Sequence, residues 1–256
     1  MIDVPILDGF YDCVPYLTAE KAMRDREHRV AEMVQAKGIT TAVLMWNLHV
    51  ERPAEVLDKC EHVGTNPLGE WYIWNGKVLI WHLTIGAPPA ASAMEMLRAF
   101  GIKSVVAWGS AGAIDPEFDS SQILVVDRAI RDEGTGYHYL PPSVYIDLDK
   151  KLASRLHNFI MDKGIKAVKG TIWTTDAYFR ETRGRIAKRI SQGALAVDME
   201  CSALACVAKV LGLNFCQFVY FSDIVKQDDW ARSGTEADRT AIRTKLLGLA
   251  LEFASN

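Results

Sequence analysis

Two short acidic stretches carry the chemistry this sequence can offer: Asp198-Met199-Glu200 and, further along, Ser222-Asp223. The first lies between an apolar run ending at Val197 and a helix whose Val207, Val210 and Leu211 recur at i, i+3, i+4 before Gly212 stops it. The second lies at the end of 214–221, a nearly continuous apolar strand. In an open α/β sheet ligands bind outside the carboxyl ends of strands, so three carboxylates at such an edge form a candidate site. The acid of a helix start is equally a cap, held by free N–H groups and the helix dipole, and Asp198 fits that role. Glu200, between Met199 and Cys201, has no such simple account.

Gly109-Ser110-Ala111-Gly112 follows an expected strand over 104–108, where glycines allow close backbone approach to a ligand. A tight turn alone also accounts for it. No Gly-Lys-[Ser/Thr] follows, Gly-x-Gly-x-x-Gly is absent, and so is the Gly-x-Ser-x-Gly elbow of serine hydrolases. Tyr178 and Phe179, close to Asp176, can stack a flat heterocycle or close a core. The six histidines show no pair at metal-ligand spacing, so no metal or other cofactor is expected.

The elements that must position these groups alternate. An irregular start gives way to a polar helix over 19–36, capped by Thr18 and placed on the surface or against a partner subunit by its sparse apolar positions. A buried strand over 41–46 and a short helix beginning at Pro53 follow. Asn75-Gly76 marks a hairpin between 70–74 and 77–83, in which Trp71, Trp74 and Trp81 read as sheet or interface packing. Then come a helix stopped by Gly101, strands over 104–108 and 122–129, a polar loop through 134–142, helix 149–163, strand 167–173, helix 182–192, and a C-terminal helix from about Thr235. The expectation is a single α/β domain of three layers, α/β/α, with a mixed, largely parallel central sheet.

Net charge of -3 argues against a basic nucleic-acid-binding face. No apolar run reaches the ~18 residues of a membrane span, and the N-terminus lacks a signal-peptide pattern. Five cysteines without a Cys-x-x-Cys read as core filler in a reducing, cytoplasmic compartment.

Together, Gly109-Ser110-Ala111-Gly112, the Asp-aromatic turn at 176–179, Asp198-Met199-Glu200 and Ser222-Asp223 resemble the nucleoside phosphorylase and nucleosidase superfamily. That family includes hexameric bacterial purine nucleoside phosphorylase, uridine phosphorylase and methylthioadenosine/S-adenosylhomocysteine nucleosidase. The resemblance runs from about Thr41 to the C-terminus and leaves residues 1–40 as an unmatched extension. It implies a nucleoside substrate and a homo-oligomer, with no nucleic-acid or membrane partner. It places Met199 against the ribose and Glu200 on its hydroxyls, with Asp198 in place of the usual first glutamate. Tyr178, with Phe179 beside it, matches the base-stacking aromatic; Gly109, Ser110 and Ser222 fall at substrate-binding positions. Asp223 takes the role of the acid that protonates N7 of a leaving purine. The stretch 136–141 resembles the nucleosidase segment near the substrate's 5′ group.

On the nucleophile side the sequence departs from the phosphorylases. Ungapped counting puts Glu51 where they carry a phosphate-binding arginine, and Ala107 where they carry a second. A phosphate dianion would lose two cations and gain a carboxylate, a repulsion of several kcal/mol at an effective ε of ~20. In the nucleosidases a glutamate at the Glu51 position deprotonates the attacking water. The expected function is therefore a nucleosidase, with Asp223 as acid and Glu51 as base, divided as in an inverting glycosidase. As a surface acid ahead of Pro53, Glu51 also has an ordinary reading. The alternative is a phosphorylase using phosphate as co-substrate, with its arginines drawn from Arg52 or from Arg24, Arg26 and Arg29 of a neighbouring subunit. A second alternative is a non-catalytic nucleoside-binding protein on the same fold.

Overall fold

Strand β1 (Thr41–Trp46) shows how the chain builds its layers: Ala42, Leu44 and Trp46 enter one apolar core while Val43 and Met45 enter another. Side chains alternate across a strand, so a run apolar at every position is buried on both faces. The computed structural model describes residues 4–11, 13–46, 53–226, 229–232 and 235–256. After β1 come strands β2 (Glu61–Asn66), β3 (Gly69–Trp74), β4 (Val78–Leu83), β5 (Ser104–Ala113) and β6 (Ile123–Asp132). They are followed by β7 (Tyr145–Asp147), β8 (Ala167–Thr175), β9 (Ala194–Asp198), β10 (Asn214–Lys226) and β11 (Asp229–Arg232). The helices are α1 (Ala19–Ala22), α2 (Asp25–Ala36), α3 (Ala54–Leu57), α4 (Ala87–Ala99), α5 (Lys150–Asp162), α6 (Arg183–Ser191), α7 (Cys201–Leu211) and α8 (Glu236–Ser255).

The sheet is mixed, and part of it closes on itself. β5 pairs in parallel with β1 and β10, and antiparallel with β9. β10 meets β6 antiparallel, while β8 runs parallel to both β6 and β9. The circuit β5-β10-β6-β8-β9-β5 is thus a ring, from which β1, β4, β3 and β2 extend as a wing. Helices α2, α4 and α7 supply apolar side chains to one core, and α5 and α8 to the other. These are the expected three layers. Among the described residues no helix is long and apolar enough to cross a membrane.

Several elements depart from the expectation. The N-terminal helix is two helices, broken where Met23 turns extended with ψ of 139°. α2 does not lie loosely on the surface: Val30 and Val34 are fully buried against the wing. Gly109-Ser110-Ala111-Gly112 is no turn but the last stretch of β5. β10 also runs on past Phe221, so Asp223 lies within the strand. β2 carries no alternating apolar pattern and was not expected. The hairpin does form as read, with Asn75 and Gly76 both at positive φ (49° and 67°). Its Trp71 and Trp81 are fully buried, 4.9 Å apart between ring centroids, and serve the core. Cys201, Cys206 and Cys216 are core, Cys60 is half-buried, and Cys13 is exposed.

Candidate functional site

Ring closure brings the separated motifs together. Gly112 of β5 stands opposite Val197 on β9 and Asp223 on β10, so the segments ending in Asp198 and containing Asp223 flank the same glycine. A bulge at Ser222, between the pairs Phe221–Ala111 and Asp223–Gly112, turns both Ser222 and Asp223 onto one cleft. Bulges commonly re-aim side chains beside functional sites. The cleft has a volume of about 690 Å³, within the ordinary range for a small-molecule site.

Every candidate site residue in the described chain lines this cleft: Gly109, Ser110, Tyr178, Phe179, Asp198, Met199, Glu200, Ser222 and Asp223. Glu51, Arg52 and the rest of 47–52 lie outside the described residues. The 136–141 stretch does not line the cleft. It wraps Arg131 instead, whose guanidinium donates to the carbonyls of Gly136 (2.9 Å), Leu140 (3.1 Å) and Pro141 (2.7 Å) and to Ser143 Oγ (2.9 Å). Asp176 likewise serves this loop, accepting from Gly134 N–H at 2.7 Å. The N-terminal arginines do not line the cleft either, and Arg26 is paired with Glu27 at 3.0 Å.

Asp198 and Glu200 differ in partners. Both oxygens of Asp198 are engaged: Thr174 Oγ1 donates at 2.7 Å, Gln217 Nε2 at 2.9 Å and Cys201 N–H at 3.0 Å. The helix-cap reading of Asp198 therefore holds, inside a larger buried network. Thr174 Oγ1 also accepts from Ser202 N–H (3.0 Å), and Ser202 Oγ donates to Glu133 (2.9 Å). One oxygen of Glu200 accepts from Gly86 N–H at 2.7 Å, which ties α7 to the entry of α4. Burial raises the Asp198 carboxyl above the ordinary carboxylate range, against the opposing pull of Thr174 and Gln217. Burial and then the Asp198 charge raise Glu200. Two carboxyls this close and this dry resist ionising together.

The cleft also gathers residues that the sequence motifs missed, Trp46, Ile85, Glu181, Gln217 and Arg243, and Arg239, which the sequence reading offers as a candidate substrate contact. Gln217 is the one polar interruption of the apolar run 214–221, a signal visible in the sequence. It stands opposite Ala107 in the ladder, and its Oε1 has no partner among the described residues. Trp46 packs so near β5 that a Cβ on Gly109 would meet its ring at 3.5 Å. Arg243 is buried, with Nε donating to Tyr220 Oη. Tyr178 and Phe179 pack on each other at the cleft mouth, centroids 4.1 Å apart and ring planes tilted by 42°. A second hollow between α3 and α8, lined by Glu55, Glu236 and small side chains, gathers no comparable chemistry.

Residues 52–254 match the family described as the phosphorylase superfamily. A uridine phosphorylase from Haemophilus influenzae is 24% identical over 198 residues, which is 70% of this chain and 79% of that protein. A DeoD-type purine nucleoside phosphorylase from Bacillus cereus is 25% identical over 165 residues, 62% of this chain and 67% of its own. Among solved structures, purine nucleoside phosphorylase from Toxoplasma gondii in complex with immucillin-H has a TM-score of 0.72 at 18% identity, covering 85% of this chain and 91% of that one. Uridine phosphorylase from Vibrio fischeri ES114 has a TM-score of 0.69 at 24% identity, covering 83% and 90%. At these identities the structural likeness speaks for the fold.

Proposed function

The chain belongs to the phosphorylase superfamily, and we propose that it cleaves the N-glycosidic bond of a nucleoside with phosphate as the acceptor. One observation carries this reading: Glu200, Asp223 and the Tyr178–Phe179 pair, from three separate elements, converge on one cleft large enough for a nucleoside. The aromatic pair holds the base. Glu200 holds the sugar hydroxyls with the carboxylate oxygen that Gly86 leaves over. As the C1′–N bond lengthens, the sugar gains oxocarbenium character and Asp223 gives its proton to the departing base. A phosphate oxygen then bonds to C1′, and the products are the free base and ribose 1-phosphate. The hydroxyl of Ser110 and the cations Arg239 and Arg243 on the cleft wall suit an anionic acceptor. The relatives named uridine and purine nucleoside phosphorylase support phosphorolysis over the nucleosidase expected from Glu51 and Ala107.

One feature favours water as a second reading. Ala107 is fully buried and offers only a methyl group where the resemblance puts a phosphate arginine. Incubation with adenosine, inosine and uridine, in phosphate and in phosphate-free buffer, separates the two. Phosphorolysis predicts at least about a hundredfold dependence on phosphate and ribose 1-phosphate as product. Free ribose at an undiminished rate without phosphate would establish hydrolysis instead.

A further inference from the structure

Glu181 lines the cleft, yet the reaction above gives it no task. It follows directly on the short turn Tyr178–Arg180, so the chain itself holds its carboxyl close to the aromatic pair. Asp223 of β10 lines the same cleft. We propose that Glu181 is a specificity-determining residue which, together with Asp223, reads the N7 and C6 edge of a purine and selects an amino over an oxo group at C6. This deepens the nucleoside reading and rests on it.

Burial and then the Asp223 charge push the Glu181 carboxyl up to about 7, and no hydrogen bond offsets them. Two carboxyls facing one cleft hold a single proton more readily than none, because ionising both sets like charges together. Arg239 and Arg243 of α8 also line the cleft, and Arg180 and Arg183 flank Glu181 in the chain; a cation close to a carboxyl favours its ionised form. Asp198 and Glu200 face the cleft from the β9–α7 junction, where Glu200 holds the sugar. A singly protonated pair presents one donor and one acceptor. A 6-aminopurine presents the complement on this edge, an acceptor at N7 and an exocyclic N–H donor. A 6-oxopurine presents two acceptors, so the ionised carboxylate would face the lone pairs of O6. Uridine has no such edge.

The test is kcat/KM for adenosine, inosine and uridine in phosphate and in phosphate-free buffer, for the wild type and Glu181→Gln. The wild type should favour adenosine over inosine by roughly 10- to 100-fold, less than a fully sealed site achieves because Glu181 is only half-buried. The Glu181→Gln amide can accept from an amino group or donate to an oxo group, so the ratio should fall to about threefold, chiefly through a gain on inosine. A gain of activity is a result that misfolding does not produce. Cleavage of inosine or uridine as fast as adenosine by the wild type would overturn the proposal, as would an unchanged ratio in the variant. Cleavage of no nucleoside in either buffer would overturn the underlying nucleoside reading, and this one with it.

Discussion

Glu200 shows what a buried carboxyl at the cleft costs its own fold. Its carboxyl and that of Asp198 sit in one buried cluster, and both are raised above their ordinary range, first by burial. The folded chain then holds protons that the unfolded chain has released, so between the unfolded and the raised folded pKa stability falls as pH rises. Glu200→Gln keeps an acceptor for Gly86 N–H and removes the charge. We expect its Tm to match the wild type near pH 5 and to exceed it near pH 8, by about 2–4 °C for each kcal/mol relieved. Thermal melts across that range would refute the account if the two curves stayed parallel. The residue types of this cluster were legible in the sequence, since Asp198, Glu200 and Asp223 stand out against apolar neighbours. Gln217 and Glu181 carry no such signal of a site. One looks like an interruption in a strand and the other like a surface acid, and only closure of the ring puts either into the cleft.

At the level of elements, periodicity revealed most helices and strands but not their ends. Gly109-Ser110-Ala111-Gly112 looks like a turn because small residues lack a strand's apolar signature; its pairing partners on β9 and β10 hold it extended. The bulge at Ser222 was equally hidden, because 214–221 is apolar on both faces and carries no phase from which a slip could be read. Thr174 links these elements. From β8 it donates to Asp198 at the end of β9 and accepts from Ser202 N–H in α7. Thr174→Val keeps the shape and removes both bonds, leaving a buried carboxylate short of a donor and a helix N–H without an acceptor. The expected loss is about 2–6 kcal/mol, summing two such penalties, seen as a lower midpoint in urea at unchanged m-value. A loss below about 0.5 kcal/mol would mean that the network does not hold the β8–β9–α7 junction.

Among the described residues of the whole molecule, the most exposed large apolar side chains lie along the N-terminal arm and at the cleft mouth. Along the N-terminal arm Phe10, Val14, Tyr16 and Leu17 are 75%, 89%, 99% and 66% exposed, and at the cleft mouth Phe179 is 86% exposed. Burying side chains of this size is worth about 1.5–3 kcal/mol each, and contiguous exposure of them marks an interaction surface. The arm is held at both ends, where Pro5–Leu7 packs on the turn Thr135–His138 and α1 packs on α4. The cover we expect is a second copy of the chain, since a homo-oligomer can lay the arm of one protomer on an apolar face of the next. Light scattering on the purified protein at micromolar concentration should give a multiple of the chain mass. Removing residues 1–17 should lower that multiple while leaving the cores folded, because no described side chain of this segment belongs to them. A monomeric wild type would sink the idea, and so would a truncated form that assembles unchanged. If the shortened protein also binds adenosine at least about tenfold more weakly, the neighbour completes the cleft mouth around Phe179, and the exposure of that ring belongs to an isolated protomer only.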